Sequence, residues 1–185
     1  MGGIDIYSLI IIGISALWVM LPAYLPNPVA AALGGGRPID GGRCWRDGRR
    51  IFGDGKTVRG FVAGIAGGLV IGLLQIFIQS HVGSGLIPEH TLMSITLLAV
   101  GALLGDLAKS FLKRRKGVER GEKWPVADQF DLVIGAFILL LIFDPKWLFS
   151  AITIGIAIAI LILTPVLHRG TNVIGYVLGI KDVPW

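Results

Sequence analysis

Three aspartates, and the cations spaced around them, are the part of this sequence best equipped for chemistry. From Gly105 the chain reads Gly-Asp-Leu-Ala-Lys-Ser-Phe-Leu-Lys-Arg-Arg, and from Trp124 it reads Trp-Pro-Val-Ala-Asp-Gln-Phe-Asp. On a continuing helix Asp106, Ser110 and Lys113 share one face, at offsets of four and then three. Asp128 and Asp131 stand three apart just after Pro125, which suits the first turn of a new helix, so the two carboxylates project together. Carboxylates one turn apart are poor neighbours unless a cation neutralises them. Mg²⁺ held by hard oxygens and shared with a polyphosphate is the natural solution. The plainer reading is that both acids favour a helix N-terminus, but one capping acid would suffice for that.

A second charged segment alternates bases with aspartates and glycines. It runs through Asp40, Arg43, Arg46, Asp47, Arg49 and Arg50 to Gly53-Asp54-Gly55-Lys56-Thr57. Basic residues at a membrane surface attract anionic headgroups, at about 1 kcal/mol each. Headgroup attraction gives no reason for the interleaved aspartates and glycines, whereas backbone amides beside a cation suit a bound phosphate. Gly-Lys-Thr invites comparison with a P-loop, but arginine stands at position 50, where the leading glycine belongs, and no strand precedes it.

The elements that must position these residues are membrane helices. Of 185 residues 54% are hydrophobic and only 16% charged, against roughly 25% charged in soluble domains. Uncharged runs cover 6–36, 60–80, 91–105, 132–143 and 147–167. A span needs about 20 residues, so the third run must extend through Asp106 and Lys109, and the fourth must begin near Asp128 and Asp131. Acids then lie inside helix ends, where they are costly and usually functional. The expectation is an all-α integral membrane protein, a single polytopic domain over 1–185. Its five spans lie near 6–28, 60–80, 91–112, 126–143 and 147–167, with the first bent or ended by Pro22, Pro26 and Pro28.

Charge gives an orientation. Fourteen of the 17 lysines and arginines fall in the segments between spans one and two or between spans three and four. That places the loops 37–59 and 113–125 in the cytoplasm, with the N-terminus outside and the C-terminus inside. It also turns the net charge of +5 toward the membrane and away from nucleic acid. Gly60, Gly64, Gly68 and Gly72, and then Gly101 and Gly105, recur every four residues and suit close helix packing. Gly105, beside Asp106, could instead contact a ligand. The lone Cys44 excludes an internal disulfide and reads as incidental. His81 and His90 fall in the outside loop and are expected to face solvent, while His168 is read as an interface residue. Trp45 and Trp124 are candidates for stacking on a base.

Gly-Asp106-x-x-x-Ser110-x-x-Lys113-Arg114, followed by Pro125-x-x-Asp128-x-x-Asp131, resembles the signature of the membrane CTP-dependent phosphatidate cytidylyltransferases. Trp124-Pro-Val-Ala, Gln129, the short chain and the Gly53-to-Thr57 loop depart from the bacterial pattern and are similar to the archaeal branch, the CDP-archaeol synthases. The resemblance implies transfer of CMP from CTP to the phosphate of an isoprenoid glycerol lipid in the membrane, with release of pyrophosphate. It implies Mg²⁺ on Asp128 and Asp131, with Asp106 as a third ligand or a second cation site, and Lys113 and Arg114 neutralising the triphosphate. Ser110 would donate to a phosphate, and Gly53, Asp54, Gly55, Lys56 and Thr57 would cradle the nucleotide. Arg43, Arg46, Arg49, Arg50 and Arg120 are candidates for the lipid phosphate or the triphosphate. Competing readings are a CTP-dependent polyprenol kinase, a phosphatidate cytidylyltransferase for acyl lipids, a small transporter and a lipid-binding scaffold. Oligomeric state, a homodimer included, stays open.

Overall fold

A computed structural model describes residues 5–82, 85, 87–118, 122, 124, 127–180 and 183. Arg120, Pro125, Lys181 and Trp185 lie outside the described residues. The order is α1 (Ile6–Tyr24), α2 (Pro26–Leu33), α3 (Val58–Val82), α4 (Leu92–Arg115), α5 (Ala127–Phe143), α6 (Pro145–Ala151) and α7 (Ile154–Val177). Among the described residues the only β pairing is two isolated bridges, Pro38 with Thr57 and Cys44 with Arg50.

Local sequence sets most helix boundaries. Asp5, Thr91, Asp144 and Thr153 cap α1, α4, α6 and α7 by accepting from backbone N–H groups of the first turn, the usual use of such side chains at N-termini. At α4 the cap is reciprocal, because Ser94 also reaches back to the Thr91 amide. Prolines at 26 and 28 open α2, so the first apolar run breaks at Leu25, as the prolines lead one to expect.

Among the described residues four helical stretches are long and apolar enough to cross a membrane: Ile6–Leu33, Val58–His81, Leu92–Arg115 and Ile154–Val177. Large apolar side chains such as Ile6, Val70, Phe77, Ile154 and Ile162 are exposed around them, the surface expected toward lipid. With 17 residues, α5 measures about 25 Å at 1.5 Å per residue. The fifth apolar run differs from the single helix expected over 147–167. The N–H of Ile152 closes α6 on Leu148, and Thr153 caps a new helix, so the run splits there. Helix α7 then continues to Val177, carrying His168 and Asn172 toward the charged end.

The core joins Ala16, Val19 and Met20 of α1 to Leu98 and Ala102 of α4, Ala136 and Leu140 of α5, Trp147 of α6, and Ile156 and Ile160 of α7. Glycines allow two very close seams. A methyl on Gly60, Gly64, Gly68 or Gly72 would lie 2.6–2.9 Å from Ala30 O, Pro26 O, Ala99 Cβ or Ile95 Cβ respectively. The four-residue stripe is therefore a packing stripe, between α3 on one side and α2 and α4 on the other. The second seam joins α4 to α5. A methyl on Gly101 would sit 2.6 Å from Ala136 Cα, and one on Gly105 would collide with the Asp131 carbonyl. Gly105 is thus committed to packing against backbone, which corrects its reading as a ligand contact.

His90 also differs from expectation. His81 is exposed, but His90 is buried at 3% exposure. Its ring stacks on Trp147 at 5.6 Å, and its nitrogens lie 3.3 Å from Trp18 O and Ser94 Oγ. Burial pushes its pKa down to about 4, with the contact to Trp18 O acting the other way. A histidine held neutral in the fold and free to charge when unfolded contributes its stability above its ordinary pKa. That contribution should fade as pH falls below 6.5 and be lost as pH passes through about 4, measurable as a falling Tm in detergent that His90→Gln flattens. Gly105→Ala should cost about 1–3 kcal/mol by forcing α5 away from α4, read as a lower Tm. Gly13→Ala, where a methyl meets nothing within 4 Å, should leave Tm nearly unchanged.

Candidate active site

The α4–α5 seam brings the acids of two helices to one place. Asp106 and Lys109 lie one turn apart on α4, and Asp131 lies one turn into α5. The Lys109 ammonium is 3.1 Å from Asp106 Oδ1, 3.5 Å from Asp128 Oδ1 and 2.6 Å from Asp131 Oδ2. Lys113 holds Asp128 from the other side, at 2.7 Å to Oδ1, and also donates to the Glu122 carbonyl at 2.9 Å. Lys56 reaches in from the loop between α2 and α3 to pair with Asp106. Three lysines and three aspartates thus form one connected ion cluster. Asp106 and Asp131 are buried, and charges taken that far from water persist only when paired.

The cluster lines one end of a groove of about 590 Å³. Lys56, Lys109, Lys113 and the three aspartates form its charged wall, while Val29, Ala30, Leu103, Leu132, Leu167 and Ile174 contribute apolar surface. Polar groups of α7 and α1 stand between: Tyr24 and Thr164 share a hydroxyl hydrogen bond of 2.8 Å, and His168 contacts Asn172 one turn away. His168 is therefore a groove residue.

The loop over residues 34–57 is a docked structure, and Asp40 is its hub. Its carboxylate accepts from the N–H groups of Gly42, Phe52 and Gly53, all at 3.0 Å, and from the Arg50 guanidinium at 2.6 Å. Burial alone would raise the Asp40 pKa, but the Arg50 hydrogen bond and the three amides outweigh it and hold the group well below the ordinary carboxylate range. Arg49 donates to the carbonyls of Arg114 and Arg115, while Arg115 donates back to the Arg50 carbonyl at 2.6 Å and pairs with Asp47. This latch onto the C-terminus of α4, where cations favour the helix carbonyls, holds Lys56 over Asp106. Thr57 fixes the next step by accepting from Gly35 N at 3.2 Å and Gly60 N at 3.1 Å.

The sequence-derived candidates therefore separate. Asp106, Asp128, Asp131 and Lys113 come together as expected, and Gly55, Lys56 and Thr57 line the same groove. Gly53 and Asp54 instead serve the loop's own frame, Gly53 through Asp40 and Asp54 through Arg50 at 2.6 Å. Arg49 is engaged in the latch, the Arg50 guanidinium holds Asp40 and Asp54, and Arg114 donates to Val118 O at 2.9 Å beside Gly53. Arg43 and Arg46 are exposed on the loop. Ser110 is buried on α4 and is not part of the groove lining. Trp45 packs edge-on against Phe111, and Lys116 lies over the Trp124 ring. Sequence reasoning missed Lys109 as a site residue. Its signal was present, because it is three residues from Asp106 and four from Lys113, hence on their face.

A divalent ion fits the chemistry of this donor set. All three side chains offer hard carboxylate oxygens, and an ammonium already occupies the point they share. Asp131 Oδ2 is buried with that ion pair but without a hydrogen bond of good geometry. Among the described residues no acid cluster is arranged around a metal-sized point. Asp106, Asp128 and Asp131 are the side chains whose oxygens could hold a divalent ion.

Known proteins resemble this chain over most of its length. The family described as CarS-like, CDP-archaeol synthase, matches residues 6–185. A CDP-archaeol synthase of Methanoculleus marisnigri is 58% identical over 166 residues, covering 90% of this chain and all of its own length. That of Methanosarcina barkeri is 47% identical over 175 residues, with the same coverage. A solved structure described as an intramembrane enzyme for archaeal membrane lipids biosynthesis superposes with a TM-score of 0.68 at 34% identity, over 86% of this chain and 94% of the other.

If Asp40 organises the latch, Asp40→Asn should cost the loop about 1–3 kcal/mol, since buried donors lose their anion. Limited proteolysis should then cut within 37–56 faster than in the wild type. In the wild type the protection is full above the ordinary carboxyl value of 3.8 and is lost only as pH falls through the lower folded value.

Proposed function

The chain belongs to the CDP-archaeol synthase family, and on that premise we propose that the groove is the place where CMP passes from CTP to a lipid phosphate. The lipid is an isoprenoid glycerol ether phosphate. One of its phosphate oxygens attacks the α-phosphorus of CTP, a new P–O–P bond forms, and pyrophosphate leaves. The observation that carries this reading is a single groove joining a cluster of three lysines and three aspartates to an apolar wall built by membrane-type helices. One substrate is a soluble polyanion and the other has its phosphate at the end of hydrocarbon chains, so a site for both needs those two surfaces side by side.

The attacking phosphate is already an anion, so the reaction needs no strong base. Its obstacle is the repulsion between two anions, together with charge that develops on the departing pyrophosphate, and a site overcomes it by positioning and fixed positive charge. Lys113 and Lys56 stand on opposite sides of the acids and reach the groove. In this reading they bind and orient the triphosphate, with Gly55 and Thr57 beside it. A divalent cation, Mg²⁺, held by Asp106, Asp128 and Asp131, would supply further neutralisation between the phosphates. The apolar side of the groove, from Val29 and Ala30 to Leu132 and Ile174, suits the first part of the isoprenoid chains. The face that carries the loop 37–59 is read as cytoplasmic, where CTP is available, because lysine and arginine concentrate on it. Five crossings, with α5 as the short fourth, complete that topology.

Labelled CTP tests the reaction against a lipid kinase. Purified protein with Mg²⁺, CTP and the ether lipid phosphate should place α-labelled phosphorus in the lipid and release the γ-label as pyrophosphate. A γ-label in the lipid contradicts the reading. Asp131→Asn and Asp128→Asn should each lower kcat by roughly 10²-fold or more, the scale of removing one preorganised electrostatic stabiliser. Undiminished transfer by either variant would remove the aspartates from the site.

A further inference from the structure

Lys109 holds the centre of the cluster, yet in the Asp-x-x-x-Ser-x-x-Lys spacing it occupies an unspecified position. We propose that Lys109 is a resident counter-ion. Its ammonium is seated where the divalent cation enters, and it is displaced onto the triphosphate when the ion and nucleotide arrive. The proposal rests on the cytidylyltransfer reading above.

The geometry supports it in three ways. Of the three aspartates Lys113 pairs only with Asp128 and Lys56 only with Asp106, whereas Lys109 pairs with all three and is the sole cation joined to Asp131 among the described residues. Without it, Asp106 would keep Lys56 and Asp128 would keep Lys113, but the buried Asp131 would lose its ion pair beside two further carboxylates. A Mg²⁺-type ion bonds oxygen at about 2.0–2.1 Å. An ion shared by these oxygens would therefore lie in contact with an ammonium already 2.6–3.5 Å from the same atoms. Two cations at that separation exclude one another. Lys109 must swing aside, and its flexible stem opens onto the groove, where the arriving triphosphate is the fitting anion. Ion alone then binds against a built-in competitor, and nucleotide removes the competitor, so the two should bind cooperatively.

The test is Mn²⁺ binding to detergent-purified protein, read by the electron paramagnetic resonance signal of free Mn²⁺ without nucleotide. Lys109→Met should bind Mn²⁺ roughly tenfold or more tightly than wild type, the effect of losing a unit charge a few ångström from the ion even under strong screening. Lys109→Arg, which keeps the charge, should keep the weak wild-type affinity. Apo Lys109→Met should also melt lower than wild type and gain more Tm on adding Mn²⁺. A merely structural lysine would lower Tm without tightening the ion. Mn²⁺ binding to Lys109→Met that is no tighter than to wild type, while Asp131→Asn abolishes it, overturns the proposal and leaves the aspartate site standing. Equal binding by wild type, Lys109→Met and Asp131→Asn overturns both. If Lys109→Met does not fold, Lys109→Gln decides by the same comparison.

Discussion

The close approach of α4 and α5 is the constraint on which the site depends. At Gly101, Gly105 and Gly135 backbone meets backbone with no side chain between, so that even one methyl would collide. Only at that separation can the acids of α5 and the Asp106–Lys109 pair of α4 share one set of ion pairs. The glycines thus act on the chemistry without touching it: they set the distance across which one ammonium reaches three carboxylates. The electrostatics then reinforce the seam, because parting the helices would strand buried charge.

The second constraint is the docked loop. Two elements far apart in sequence supply the groove's cations, Lys56 from the loop and Lys109 and Lys113 from α4, and the latch of Arg49, Arg115 and Asp47 keeps them in register. Much of the positive charge on this face is therefore structural. Arg49, Arg50, Arg114 and Arg115 are engaged by carbonyls and carboxylates of the protein itself. The lysines, with single mobile ammonium groups, are left to face the groove.

Much of this was legible in the sequence, and the failures have physical reasons. Apolar runs and prolines gave the helices and the break near Leu25, and the spacing of Asp106, Asp128 and Asp131 gave the acidic centre. The split of the last run at Ile152 escaped notice because hydropathy is blind to a Thr153 cap. His90 was misread because loop position suggests exposure, whereas its burial depends on Trp18 and Trp147 arriving from distant helices. The arginines looked like phosphate ligands because sequence displays charges but not the carbonyls that consume them. Lys109 escaped as a site residue because it was counted only as one more basic residue of a charged segment.

In the proposed reading, the membrane helices, the groove and the ion cluster bring a soluble nucleotide and a lipid phosphate to one set of charges. The most direct measurement is an anomalous difference map at the Mn edge, from crystals holding Mn²⁺ and a non-hydrolysable CTP analogue. The account predicts a peak bonded to carboxylate oxygens of Asp106, Asp128 and Asp131, with the α-phosphate beside it and the Lys109 ammonium turned to the triphosphate. A nucleotide seated away from this cluster, or a peak on other residues with the Lys109 ion pairs intact, would contradict it.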